Sequence, residues 1–144
     1  MQPDQTDWKI INLLSEQYLP NITIAKKLGL SEGTIRQRIK RMQAAGILKI
    51  KALRDTNVLE NQQLAIIAVN VEHSNQLDTK AREISELPEV LSVSIVSGRY
   101  DLLVEVLVDS NKGLVKFLTE SLSQVDEISA TESFVTLRSY NRWV

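Results

Sequence analysis

The chain has 144 residues, 43% apolar and 24% charged, and its 17 basic and 18 acidic side chains leave a net charge of −1. This is the composition of an ordinary globular protein, with room for one medium domain or two small ones. There is no cysteine and a single histidine, His73, which excludes disulfides and thiolate chemistry and argues against a zinc centre, whose ligands are several His/Cys side chains. No apolar run approaches the roughly 20 residues of a membrane span. The opening MQPDQTDWK lacks the basic-then-apolar order of a secretory signal, so a cytoplasmic protein without a membrane partner is expected.

Helical spacing begins at Trp8, Ile11 and Leu14, widened by Ile10 and Leu13, with Asp7 as the expected N-cap and Pro20 as the stop. Asn21 is then the expected N-cap of a short second helix, Ile22 to Leu28, closed by Gly29 at the position of a left-handed C′ residue. Ser31 offers an N-cap to a third helix, in which Ile35, Ile39 and Met42 form a buried stripe that ends before Gly46. Three short helices with a tight Gly-Leu-Ser turn between the second and third make a helix-turn-helix. From Ile47 to Leu53 apolar residues alternate with Lys49 and Lys51, which predicts a short strand or wing with a basic face.

Charge divides along the same boundary. Residues 1–60 carry ten Lys/Arg against six Asp/Glu, a net of +4, and residues 61–144 carry seven against twelve, a net of −5. Between Lys26 and Arg54 nine basic residues face one acid, Glu32. Such asymmetry marks a polyanion-binding module joined to something else. The second helix of a helix-turn-helix puts its N-terminal side chains into the major groove of double-stranded DNA. With the Ile35 stripe inward, Glu32, Thr34, Gln37 and Arg38 are the types that read base edges. Lys40 and Arg41 further along, and Lys26 and Lys27 in the preceding helix, are expected at phosphates, with Ser31 and Arg36 beside them. Gly33 costs a helix roughly 1 kcal/mol against alanine, a cost that close approach of the backbone to DNA would explain.

The period changes in the second half. Leu64–Glu72 reads as a strand, Leu77, Ala81, Ile84 and Leu87 as a helix closed by Pro88, and Leu91, Val93 and Ile95 as a strand alternating with serines. Ser97-Gly98-Arg99-Tyr100 connects to Asp101–Val108, whose Leu102, Val104, Val106 and Val108 alternate, so these two strands form a hairpin. Leu114, Phe117, Leu118, Leu122 and Val125 give a second helix, and Ile128–Leu137 a last strand. The order βαββαβ is the split-βαβ, ferredoxin-like arrangement, so the fold class is α+β. Its helices cover one sheet face, while Leu103 and Leu107 oppose the row from Leu102 to Val108. An apolar second face predicts that two sheets pack together in at least a dimer.

Taken together, the two halves resemble the Lrp/AsnC (feast/famine) family of transcription regulators over about residues 5–140. The resemblance is carried by Asp7–Ile11 and Leu14, by Ala25-Lys26-Lys27-Leu28-Gly29-Leu30-Ser31, by Ile35 to Met42, by Gly46-Ile47-Leu48, and by Ser97 to Val104. It implies an N-terminal DNA-binding domain and a C-terminal domain that forms dimers, often octamers, and in many members binds an amino acid between neighbouring dimers. The family's Gly-x-x-Asp effector loop maps to Gly98 and Asp101, with Arg99 and Tyr100 between them, and its Thr-x-Thr positions map to Thr131 and Ser133. A glycine permits close backbone approach, and a carboxylate can hold an α-ammonium. The chain departs from the family pattern at Tyr18-Leu19-Pro20-Asn21, where a polar stretch is usual. It departs again at Asp55 to Asn61, which lacks the usual proline and glycine.

The expected organisation is a DNA-binding domain over 1–54, a linker over 55–63, and an oligomerisation and effector domain over 64–144. The expected function is sequence-specific regulation of transcription with amino-acid or similar metabolite sensing and no bound cofactor. An architectural DNA-binding protein without an effector is the alternative. No paired-carboxylate, phosphate-loop or nucleophile-elbow motif supports an enzyme, and the strands lack the stacking aromatics of an RNA-binding sheet.

Overall fold

A computed structural model describes residues 1–144, which divide into two compact units, Met1–Ala52 and Leu53–Val144. The first unit holds three helices, α1 (Gln5–Glu16), α2 (Asn21–Leu28) and α3 (Glu32–Ala44). Its core is built from Ile10, Ile24, Ala25, Ile35, Ile39 and Met42, with Leu13, Leu14, Leu28, Ile47 and Leu48 packed around them. The stripe expected on α3 is thus the one that is buried. On α1 the apolar face is rotated from the expected one. Ile10 is fully buried, Trp8 is 53% exposed, and Asp7 takes the inward position one turn before Ile10.

The caps also differ from expectation on the first two helices. Asp4 caps α1, and Asp7 is the third helical residue of a reciprocal capping box with it. Pro20 precedes α2 without a side-chain cap, and Asn21 is already helical. Proline suits a helix start because its missing N–H is one the first turn leaves unpaired anyway. Ser31 caps α3 as expected, accepting from the Thr34 N–H at 3.1 Å. Gly29 sits at φ +67°, where its N–H reaches the Ala25 carbonyl and the chain reverses into α3. Residues 47–54 form no strand, so the expected basic wing is absent from this chain's own pairing. A strand needs a partner ladder, and Ile47 and Leu48 instead hydrogen-bond back to the Met42 carbonyl at 2.9 and 3.3 Å.

The second unit is a four-stranded antiparallel sheet, β1 (Gln63–Val71), β2 (Val90–Ile95), β3 (Leu102–Val108) and β4 (Ile128–Val135), in the order β2-β3-β1-β4. Helix α4 (Leu77–Ser85) connects β1 to β2, and α5 (Ser110–Lys116), prolonged by a π-turn over Phe117–Ser121, connects β3 to β4. This is the ferredoxin-like arrangement. Ala65, Ile67, Val69 and Val71 of β1 and Leu102, Val104, Val106 and Val108 of β3 meet Ile84, Leu114, Phe117, Leu122 and Val125 in one core. A bulge between Val90 and Ser92 shifts the register of β2, so Val90 and Val93 both pack on the core while Leu91 is exposed. Ile95, opposite Leu102, is half-exposed at the end of the strand. Lys80 is buried beside the core, with its ammonium 3.1 Å from Glu83 and 3.7 Å from Glu127.

The outer face carries Leu64, Ile66 and Ala68 of β1, Leu103 and Leu107 of β3, and Phe134 of β4. It is less uniformly apolar than the alternation predicted, because Glu105 lies at its middle and receives the Arg142 guanidinium. Residues 55–63, expected as a linker, are tied into this unit. Arg54 and Val144 exchange backbone hydrogen bonds of 2.7 and 3.0 Å, and Asp55 caps a turn over Thr56–Val58. β4 forms one edge of the sheet and is exposed from Ser129 to Val135.

Phe117 is the largest fully buried side chain of this unit. Phe117→Ala is expected to cost about 3–5 kcal/mol, measured by urea unfolding, with the separate helical core of the first unit unaffected.

Candidate functional site

At about 3.6 residues per turn, burying Ile35, Ile39 and Met42 turns Gly33, Gln37 and Lys40 of α3 to the opposite side. Arg36 lies on one flank of that surface, and Thr34, Arg38 and Arg41 on the other. Gly33, Gln37, Lys40, Arg36 and Arg41 are all exposed, as are Lys26 and Lys27 at the end of α2. The structure therefore gathers most of the expected DNA-binding residues on one side of α3, but it gives several of them prior partners. Arg36 forms an exposed pair with Glu32 at 2.8 Å, a contact of small energy. The Ser31 and Thr34 hydroxyls bond each other at 2.8 Å while Ser31 caps the helix.

Arg38, expected to read base edges, has an intramolecular partner in the free protein: its Nη1 lies 2.7 Å from Asp4 Oδ2 and 2.8 Å from Asp7 Oδ1, with only 26% of the side chain exposed. Arg41, expected at phosphate, donates to Asp7 Oδ2 at 2.8 Å and keeps half its side chain in solvent. The Asp7 carboxylate is fully buried and also accepts the Asp4 N–H at 3.1 Å. A buried carboxylate is tolerable only when its lone pairs are filled by good donors, and here both oxygens are. The sequence predicts only a capping role for Asp7 and none for Asp4 in this charge cluster, although Asp7 shares the face of Ile10 and Leu14 at helical spacing. A carboxylate in an apolar stripe, opposite a helix with two arginines three residues apart, is the signal that could have found them.

Gly33 presents an opposite case. A Cβ built there would meet nothing closer than the Ser31 hydroxyl at 3.9 Å, so nothing within the free protein requires a glycine.

The second candidate cluster lies at one end of the sheet. Ile95, Leu102, Val69 and Thr131 form a row across all four strands, and Ser133 sits in the next row beside Ile67. The connection carrying Gly98, Arg99, Tyr100 and Asp101 leaves the sheet at that same end. Gly98 has φ +142°, a conformation that side-chain-bearing residues rarely adopt. The Arg99 guanidinium lies 5.5 Å above the Tyr100 ring, within cation–π range. Asp101 is already used: its carboxylate accepts the Val71 N–H at 2.9 Å and its own N–H donates to Val69 at 3.0 Å. Strands about 4.8 Å apart leave Thr131 some distance from that loop. Thr131 instead lines a groove of about 430 Å³ with Leu118, Leu122, Val125 and Ile128. One chain therefore brings the Gly98–Asp101 loop and Thr131 toward one sheet end, with Ser133 opposite the middle of β1, and encloses no pocket between them.

The charge network has a pH signature. Burial pushes the Asp7 carboxyl up, but the Asp4 N–H and the Arg38 guanidinium outweigh it and hold it below its ordinary value of 3.8. The Arg38 hydrogen bond holds Asp4 low as well. Carboxylates depressed in the folded state contribute stability above their ordinary value and lose it as pH falls through the folded one. The first unit should melt at a constant temperature from neutrality to about pH 5 and lose stability below about pH 4. Asp7→Asn should flatten that acid limb in thermal melts.

Comparison with known proteins agrees with both units. Residues 3–49 match the winged helix-turn-helix DNA-binding model, and residues 64–142 match the Lrp/AsnC ligand-binding domain. An uncharacterized HTH-type transcriptional regulator of Pyrococcus furiosus is 34% identical over 142 residues, covering 97% of this chain and 95% of that protein. Among solved structures, Escherichia coli AsnC aligns with a TM-score of 0.65 at 23% identity, over 96% of this chain and 95% of that one. A Neisseria meningitidis transcriptional regulator solved in complex with L-Met aligns at 0.69 with 24% identity, over 98% and 94%. No helix of this chain is long and apolar enough to cross a membrane. With a DNA-binding helix-turn-helix followed by an oligomerising ligand-binding domain, the chain belongs to the Lrp/AsnC family of transcriptional regulators.

Proposed function

We propose that this regulator is cytoplasmic, binds a specific DNA sequence through the outer side of α3, and senses an amino acid or similar small metabolite through its second unit. The observation that carries the DNA reading is the single surface formed by Gly33, Gln37 and Lys40 and flanked by Arg36, with Lys26 and Lys27 exposed in the last turn of α2. Gln37 has the donor and acceptor needed for an adenine edge. Lys40, Lys26 and Lys27 supply point charges for phosphates. Gly33 lets the phosphate backbone approach α3 where the free protein has no use for a missing side chain.

The sensing reading is supported by the ligand-binding domain matched over 64–142 and by the open arrangement of Gly98, Arg99, Tyr100, Asp101, Thr131 and Ser133. The Gly98–Asp101 loop and Thr131 lie toward one sheet end with Ser133 two residues further in, so a second copy could complete a pocket there, with a dimer or an octamer as the assembled form. Backbone amides near Gly98 and the hydroxyls of Thr131 and Ser133 are suited to an α-carboxylate, and Asp101 to an α-ammonium. One observation favours the alternative of an architectural protein with no effector: the Asp101 carboxylate is already engaged by the Val71 N–H.

Gln37→Ala should weaken binding to the preferred duplex by about 1–3 kcal/mol and binding to random duplex much less, as read by fluorescence anisotropy. An equal loss on both would assign Gln37 to phosphate. Gly33→Ala should raise the stability of the free protein by up to about 1 kcal/mol while lowering DNA affinity. Screening the twenty amino acids, L-methionine among them, by thermal shift and light scattering separates the two readings. A ligand that prefers the native state raises its melting temperature, whereas twenty flat responses would favour the architectural alternative.

A further inference from the structure

Two arginines of the DNA-facing helix are paired with acids inside their own unit, and this pairing bears on how the protein discriminates between sequences. Arg38 is held between Asp4 at 2.7 Å and Asp7 at 2.8 Å, and Arg41 is held by Asp7 at 2.8 Å. The same two guanidiniums line a cleft of about 220 Å³ together with Thr34 and Gln37. They therefore border the surface through which α3 is proposed to read bases, close enough to find phosphates if released.

We propose that Asp7, assisted by Asp4, is a specificity-determining residue that acts through Arg38 and Arg41: it withholds two cations from the DNA backbone. Cations on phosphates strengthen binding to every sequence alike, whereas base contacts discriminate. The basic helix thus presents Lys40 and the weakly paired Arg36 as its ready charges, fewer than its composition suggests. Gln37 and its neighbours then supply a larger share of the total binding. Asp7 touches no DNA in this scheme and is a positioning residue. Its burial is what makes the restraint firm, because its carboxylate has no solvent to turn to.

The inference rests on α3 being the element that meets DNA, and the test separates the two. Binding of the full chain is measured against salt for a pool of random-sequence duplexes and for the duplex that the wild type selects from that pool. Lys40→Ala should make the logarithmic salt slope shallower by about 0.9, the value for one lost phosphate contact. Asp7→Asn should do the reverse. Random-duplex affinity should rise severalfold, the slope should steepen by about 0.9 for each phosphate newly engaged, and the ratio of selected to random affinity should fall. Adding R38Q and R41Q to D7N should return the slope to that of the wild type.

If Lys40→Ala behaves as expected but Asp7→Asn leaves the slope unchanged, or weakens selected and random duplexes in parallel, Asp7 is only structural and the inference is overturned. If neither variant moves the slope, α3 is not the DNA-facing element and both readings fall. Should Asp7→Asn unfold the unit, Asp4→Asn serves instead. Asparagine keeps the helix cap, while the loss of one charge loosens Arg38. A smaller steepening supports the inference, and an unchanged slope overturns it.

Discussion

The helix-turn-helix unit depends on one buried carboxylate. Asp7 of α1 lies against α3, and its two oxygens are filled by Arg38, Arg41 and the Asp4 N–H. Burial of Ile35, Ile39 and Met42 sets which face of α3 turns inward. A carboxylate bonded at 2.8 Å to two arginines three residues apart adds a directional restraint to that packing. The two together hold α3 in one rotation about its own axis, and with it the set of side chains that points outward. Removing a carboxylate from water costs several kcal/mol, so the net gain in stability is small and the gain in orientation is what remains.

The second unit follows a different logic. Its helix-covered face closes a complete core around Phe117, and that core needs nothing from outside. Its other features are left open. The outer face mixes Ile66, Leu103, Leu107 and Phe134 with the Glu105–Arg142 pair. Thr131 and the Gly98 loop stand at one sheet end with no shared cavity. A pocket assembled from more than one chain couples occupancy to association by mass action, which is how a small ligand could alter the assembly of a family member without reshaping its core.

Local periodicity made much of this legible in advance. The Ile35, Ile39, Met42 stripe, the left-handed Gly29, the Ser31 cap and the alternation from Leu102 to Val108 are each decided by neighbours within a few residues. What the sequence could not reveal depends on distant partners. Asp7 reads as a helix N-cap, and its place in the apolar stripe acquires its meaning only when residues 31 and 34 positions away are brought to it. The alternation from Ile47 to Leu53 resembles a strand, but a strand exists only if another strand accepts it, and here the Met42 carbonyl takes Ile47 and Leu48. The bulge near Leu91 likewise turns that one residue outward and puts Val90 on the core, while Val93 keeps its expected side. At the sites, residue type was readable and availability was not. Arg38 and Asp101 have the right chemistry but are already engaged.

The exposure of β4 has a consequence for the life of the chain before it assembles. An edge strand with a bare row of backbone donors and acceptors is a template for any other extended chain. Ser129 to Val135 includes Phe134 and Val135 in such a row, interrupted by a single charge at Glu132. A protomer with this edge uncovered is therefore open to indiscriminate strand addition, and the charge at Glu132 is what opposes it along that row.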